Sequence, residues 1–428
     1  MSRILFFFFL ITFSSSLNSL TIKDTIKSTV ENSQKIKIGL EKINESKELI
    51  LKASGELLPD VSSTISGTYE SSSKKTSTST TEDDTFSDKY KLTITQNLYD
   101  GGYDKAEIDR SKILLENEII KFKIMVQDLI LDAIKGYLIV LNYESSLKTT
   151  KKNFESVTKI LDETKIKYNA DSATLYDLQI AESSFAMAEA NLFSDKQNLL
   201  IAQKTFQRIV ALEAIDLENV INIDTNFQIN EIEKKALNNN LSLKLLNNEI
   251  LNKEFLLLKE KKTKKPNLNL VGTTEYSDSD RIDNGTEALK GSLALTLTIP
   301  IFQQGINDSN IRKFHSQILQ AELNYEDAKD DLLLNISNTF KDFKINESNM
   351  KAILASIEAN KTALESIQQE YLIGTKTISD FLEEEQKLLY LKVNYSNTKN
   401  DYLVSYFKIK SLEGSLLDVF EEFLPKLN

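Results

Sequence analysis

Residues 104–169 read DKAEIDRSKILLENEIIKFKIMVQDLILDAIKGYLIVLNYESSLKTTKKNFESVTKILDETKIKYN, and beyond a short segment, Tyr168 to Asp177, a second run continues to Leu212. Apolar residues climb the first run at seven-residue steps: Ile108, Leu115, Phe122 and Leu129 on one line, and Ile119, Val126, Ala133, Val140, Leu147, Phe154, Leu161 and Tyr168 on another. Leu178, Phe185, Leu192, Leu199 and Phe206 keep the step on the return. A straight α-helix would drift by about 20° per heptad, so a repeat held this long calls for helices supercoiled on one another. Gly136 is the only glycine between Lys105 and Asn169, and there is no proline. At about 1.5 Å per residue the first run alone reaches about 100 Å. The organising element is a long helical hairpin.

It occurs twice. Gly102 matches Gly305, Tyr168 matches Tyr371 and Asp177 matches Asp380, each pair 203 residues apart, or 29 heptads. The heptad register therefore carries over: Ile336, Phe343, Met350, Ile357, Leu364 and Tyr371 repeat the first arm, and Phe381, Leu388, Tyr395, Tyr402 and Ile409 repeat the return. The chain is a tandem duplication.

Ahead of each hairpin lies a helical pattern that stops at a proline, Ile22–Leu58 before Pro59 and Ile232–Lys265 before Pro266, an offset of 207. The period then switches to two. Val61, Ile65 and Tyr69 alternate with Ser62, Thr64, Ser66 and Thr68, and Tyr90, Leu92, Ile94 and Leu98 alternate with Lys91, Thr93, Thr95 and Asn97. In the second copy Leu268, Leu270 and Tyr276 are followed by Leu293, Leu295, Leu297, Ile299 and Ile301, with polar residues between. Four strands of about ten residues, each with one apolar and one polar face, match the dyad pattern of a transmembrane barrel. A hairpin packed on a soluble core is the alternative reading of the alternation alone; tyrosines at the ends, Tyr69, Tyr90, Tyr99 and Tyr276, favour a membrane girdle. The segments Ser71–Thr81 and Ser277–Thr286 read as polar loops. Four strands cannot close a barrel, and open edges in lipid leave backbone groups unpaired, so other copies of the chain must complete it.

The composition narrows the function. A formal charge of −11 leaves no basic stripe for nucleic acid, and the absence of cysteine excludes disulfides and thiolate chemistry. His315, the only histidine, sits in a polar helical stretch and reads as a surface residue. Neither a glycine-rich phosphate loop nor a nucleophile with a base is present; catalysis, a cofactor and a resident metal are not expected. Arg3, the apolar run Ile4 to Phe13 and Ser14–Ser16 read as a secretory signal, too short to span a bilayer as a helix. The division is thus a signal segment over 1–19; a first repeat over 20–212 with a β-hairpin at 60–99 and a helical hairpin at 103–212; a linker or equatorial segment over 213–231; a second repeat over 232–415 with hairpins at 267–302 and 306–415; and a tail over 416–428.

The duplicated order of helix, strand, loop, strand and long helical hairpin resembles the outer-membrane efflux channel (TolC) family over nearly the whole mature chain. The local marks are Gln96-Asn97-Leu98-Tyr99-Asp100-Gly101-Gly102, Ile299-Pro300-Ile301-Phe302-Gln303-Gln304-Gly305, and the tip Tyr371 to Asp380. The resemblance implies a mainly α fold with membrane β: a homotrimer in which four strands per chain build one outer-membrane β-barrel and the duplicated coiled-coil hairpins build a periplasmic tunnel. It further implies a periplasmic adaptor (membrane fusion) protein, an inner-membrane RND or ABC transporter and contact with outer-membrane lipid. It also implies a gate at the hairpin tips: a tyrosine at Tyr371, a lysine at Lys376 where the family has arginine, ring acids at Asp380 and Glu383, and the first-copy aspartate they contact at Asp177. Adaptor contact would fall on Ala170-Asp171-Ser172 and Ile373-Gly374-Thr375. Lysine lacks the two-pronged contact of arginine, and Asp171 stands where a left-handed turn usually takes glycine. As plain helix chemistry, Asp177, Asp380 and Glu383 are first-turn acids that favour the helix dipole by about 0.3–1 kcal/mol.

Two functions of different class remain. One is a passive exit duct of a tripartite efflux or type I secretion system; the other is a structural coiled coil that bridges the envelope. The strands favour the first, since a bridge needs no pair of hairpins with a lipid-ready face. A free-standing porin has no use for about 100 Å of helix beneath a bilayer of about 30 Å.

Overall fold

The computed structural model of the protein describes residues 19–219, 223, 225–281 and 285–426. All of the signal segment except Ser19, the tip of the second polar loop and the last two residues of the tail lie outside the described residues. In chain order come α1 (Ile22–Asn32), α2 (Gln34–Gly55), β1 (Asp60–Lys75), β2 (Thr80–Tyr99), α3 (Tyr103–Asn169), α4 (Leu175–Val210), α5 (Ile229–Asn239), α6 (Leu241–Lys262), β3 (Asn267–Arg281), β4 (Thr286–Thr298), α7 (Ile306–Leu372), α8 (Ile378–Leu412) and the short α9 (Leu416–Val419). The arms α3 and α7 are both 67 residues long. No described helix is apolar enough to cross a membrane.

Each helix expected ahead of the strands is broken in two. Ser33 leaves helical geometry at φ −69° and ψ 123°. Asn240 ends α5 and restarts α6, its Oδ1 accepting from the N–H of Ser242 at 3.0 Å and of Leu243 at 3.2 Å. A side-chain cap of this kind satisfies donors that a helix start leaves open. The breaks lie 207 residues apart, the offset of the two prolines.

The strands pair antiparallel in the order β1-β2-β3-β4 and are longer than expected, at 16, 20, 15 and 13 residues. Ser71–Lys75 is not a loop: it pairs with Thr80–Asp84, and the chain turns only at 76–79, closed by Thr76 N–H on the Ser79 carbonyl at 2.8 Å. An antiparallel ladder satisfies the backbone whatever the side chains, so a Ser/Thr segment in water can extend it. Likewise Ser277–Arg281 belongs to β3. Ile299 and Ile301, expected in the last strand, lie beyond its end at Thr298; Pro300 has no N–H to give.

Register puts the large apolar residues of all four strands on one face except Val271, which shares the other with Thr95. Val61, Ile94, Gly272 and Leu293 form one cross-strand row, and Ile65, Tyr90, Tyr276 and Leu289 another. Leu98 departs from its expected place. A bulge between Asn97 and Tyr99 takes it out of the ladder and sets Tyr99 opposite Leu268. In the two central strands the apolar-face residues Phe86, Tyr90, Leu92, Ile94 and Tyr276 are exposed while Leu268 and Leu270 are half-buried; on the other face Thr85, Ser87, Thr93, Thr95, Thr273, Glu275 and Ser277 are half-buried and Lys89 and Lys91 are exposed. Most polar-face residues of the central strands are thus the more sheltered, as on the inside of a curled sheet.

The chain forms two compact units, each drawing on both repeats: one comprises Met1–Gln34, Met125–Asn239 and Leu332–Asn428, the other Lys35–Ile124 and Asn240–Asp331. In the first the heptad positions Val126, Ala133, Val140, Leu161, Phe206, Ile336, Phe343, Phe381 and Ile409 are buried. Phe343 stacks on Tyr402 at 4.7 Å and meets Phe227 edge-on at 5.5 Å. The Tyr137 hydroxyl lies 2.8 Å from the carbonyls of both Leu20 and Glu218, tying the start of the chain to the segment after α4.

Candidate functional site at the helical tips

The two hairpin turns are the same turn. Ser172 N–H reaches the Lys167 carbonyl at 2.8 Å, and Thr375 N–H reaches the Glu370 carbonyl at 2.9 Å, again 203 residues on. Between them the chain goes left-handed, at φ 55° for Asp171 and 80° for Gly374. Aspartate tolerates this region better than most residues, so the first tip keeps its shape without glycine. Ala170, Asp171, Ser172, Ile373, Gly374 and Thr375 are all exposed.

Each return helix opens on a capping box. Asp177 Oδ2 accepts from Thr174 N–H at 2.9 Å and from its hydroxyl at 2.7 Å, while Thr174 Oγ1 accepts from Asp177 N–H at 3.1 Å. Asp380 and Thr377 repeat this at 2.9, 2.8 and 3.2 Å. The bonds from Thr377, and Lys376 nearby, hold the Asp380 carboxyl below the usual range. Lys376 and Glu383 are exposed.

Below the turns, Val157, Ile160, Leu161, Ala181, Ile378, Phe381 and Leu382 form one buried cluster, with Tyr371 packed against it. Both tips are therefore anchored on a shared core. Tyr371 stacks on Phe381 at 5.9 Å. Within the chain its hydroxyl accepts from Lys167 Nζ at 3.2 Å rather than meeting Asp177, and the same ammonium lies 4.5 Å from the ring centroid. Lys167 was not legible as part of this site, because nothing local marks a contact between residues 204 apart in sequence. The two threonines were findable: Thr-x-x-Asp is a cap signature.

Farther along the arms, Glu385 of α8 accepts from Asn153 at 2.9 Å and Ser156 at 2.7 Å of α3. It borders a cavity of about 230 Å³ lined also by Lys148, Lys152 and Lys392. Burial, with Lys361 and Lys152 close by, pushes the Lys392 ammonium down. Among the described residues no group of three or more His, Cys, Asp or Glu is placed to hold a metal ion. His315 is exposed on α7.

The geometry has clear relatives. The chain is 24% identical over 343 residues to Outer membrane protein TolC of Escherichia coli (strain K12), covering 76% of this chain and 69% of that protein. It is 17% identical over 335 residues to Alkaline protease secretion protein AprF of Pseudomonas aeruginosa, covering 76% and 69%. The fold superposes on the Campylobacter jejuni CmeC outer membrane channel with a TM-score of 0.79 at 16% identity, over 94% of this chain and 90% of that one. A family model described as outer membrane efflux protein matches residues 26–211 and 259–415. That is most of the chain, and the protein belongs to the outer membrane efflux protein family, whose members are outer-membrane channels rather than enzymes.

Proposed function

We propose that three copies of the chain close their sheets into one twelve-stranded barrel and gather their helical hairpins into a tunnel. The assembly is a passive exit duct for substrates expelled by an inner-membrane transporter, of RND or ABC kind, through a periplasmic adaptor. The observation that carries this reading is the two-faced sheet: apolar residues on one face, which the reading makes convex, polar ones on the other, which it makes concave, and β1 and β4 as unpaired edges. In a soluble protein the apolar face would be covered. In lipid it is the correct face to expose, and each unpaired backbone group at an edge would cost several kcal/mol, which closure removes. Three chains of four strands give an even count within the range of known barrels.

At the tips the reading assigns Asp177, Tyr371, Lys376, Asp380 and Glu383 to a gate. The cap uses Oδ2 of Asp177, and the reading gives Oδ1 to Lys376 as its cation in the assembly. One exposed ionic contact is worth about 0.2–1 kcal/mol, and threefold repetition brings the sum to the few kcal/mol that bias a two-state element. The exposed turns at Ala170-Asp171-Ser172 and Ile373-Gly374-Thr375 are the surfaces offered to the adaptor.

The test is mass and conductance on one detergent-purified sample. Three chains per particle are expected, with a low resting conductance in planar bilayers that rises several-fold when Tyr371→Phe is combined with Lys376→Ser. A monomer soluble without detergent would defeat the barrel, and an unchanged resting conductance would move the closure away from these residues.

A further inference from the structure

We propose that Lys89, Lys91 and Lys290 form a cationic belt on the concave face of the sheet that holds multivalent anions, small molecules bearing phosphate, sulfate or several carboxylates, as they leave through the barrel. The inference rests on the barrel reading above. Its geometry comes from the register. Thr64, Lys91, Glu275 and Lys290 are directly opposite one another across the four strands, and Ser66, Lys89, Ser277 and Ala288 form the next row. Lys91 and Lys290 flank Glu275, while Lys89 lies two residues from Lys91 on the same face. Three ammonium groups thus share one carboxylate, and none of the three is in an ion pair among the described residues.

This surplus is local, since the chain as a whole carries a formal charge of −11. It is also sorted by face. On the convex side of the adjacent row, the residues opposite one another are Gly67, Asp88, Asp278 and Glu287, all acidic but the glycine. Acids on the convex face put this level at the edge of the hydrocarbon rather than its midplane, and on the concave face the lysines meet the water of the lumen. Side chains one or two strands apart lie within a Debye length of about 8–10 Å, so their potentials add. Three copies place nine ammonium groups and three carboxylates around one lumen, level with the Tyr90–Tyr276 ring pair. Rings of lysine or arginine are how pores admit anions, and an ion with two or more charges can reach two ammonium groups at once.

Inorganic triphosphate, added to the barrel side of single channels in planar bilayers, is the probe. The triple change Lys89→Gln, Lys91→Gln and Lys290→Gln should raise the blocking concentration by about tenfold, equivalent to about 1.4 kcal/mol, and shift the reversal potential in a KCl gradient toward cations. Glu275→Gln should tighten block, because it removes the one carboxylate of the row. Lys261→Gln, on α6 outside the sheet, should leave block unchanged. A triple variant that conducts with the original block and reversal potential overturns the proposal while leaving the barrel intact. Equal weakening by Lys261→Gln overturns it too, by reducing the effect to net charge. Protein that forms no conducting channel at all overturns the barrel reading and the belt with it.

Discussion

The helical cores and the sheet use the same residue types in opposite senses. In the helices Phe343 and Ile336 are 0% exposed; in the sheet Ile65 is 71% and Leu295 63% exposed. Burial of an apolar side chain is favourable by about 1.5–3 kcal/mol relative to water, so the sheet forgoes in water what the helices gain. The difference teaches that the two regions are folded for different solvents. The helices complete their own core. The sheet leaves its apolar face open, which the proposed barrel turns to lipid.

Three changes can break or sharpen that contrast. The largest effect is expected on the helical side: Phe343→Ala removes a fully buried ring stacked on Tyr402 and should cost about 3–5 kcal/mol. Chemical unfolding would measure it, and a loss under about 1 kcal/mol would mean the core repacks around the gap. On the sheet, Leu295→Arg should cost about 2–4 kcal/mol and Thr296→Arg much less, since in the proposed barrel one side chain faces lipid and the other the lumen. Yields of membrane-inserted protein report the difference, and equal yields would reverse the assigned faces.

The smallest effect is at the tip and depends on pH. The Asp380 carboxyl is held below its ordinary value of 3.8 in the folded chain by Thr377. Its contribution is therefore fully present above the unfolded value and is lost as pH falls through the folded one. The Tm difference between the protein and Asp380→Asn should stay constant above about pH 5 and close below about pH 4. A difference that grows on acidification would show that the carboxylate is not stabilised by its cap.

What the sequence disclosed follows the same division. Heptad and dyad periods announce themselves wherever one face is apolar, so the arms, the strands and the sheet's apolar face are legible in residues such as Phe343 and Leu295. The outer half of the first hairpin was not, because Ser71–Lys75 is polar on both faces and carries no period. The helix breaks at Ser33 and Asn240 have no mark in the sequence, since neither proline nor glycine stands there. The bulge at Leu98 shifts one residue in a pattern that otherwise holds. At the tips, the acids could be placed by resemblance, yet the Lys167–Tyr371 contact needed three dimensions, since it joins different repeats.

The paired capping boxes have a consequence for any closure at the tips. A free surface aspartate samples several rotamers and must give them up when it meets a partner, which erodes the small gain of an exposed contact. Asp177 and Asp380 have already lost that freedom in folding, because each holds its own threonine by two hydrogen bonds through Oδ2. Their remaining oxygens are presented in a direction set by the backbone of the first helical turn. Recognition there is preorganised, and the entropy it would otherwise cost has been charged to the folding of the helix.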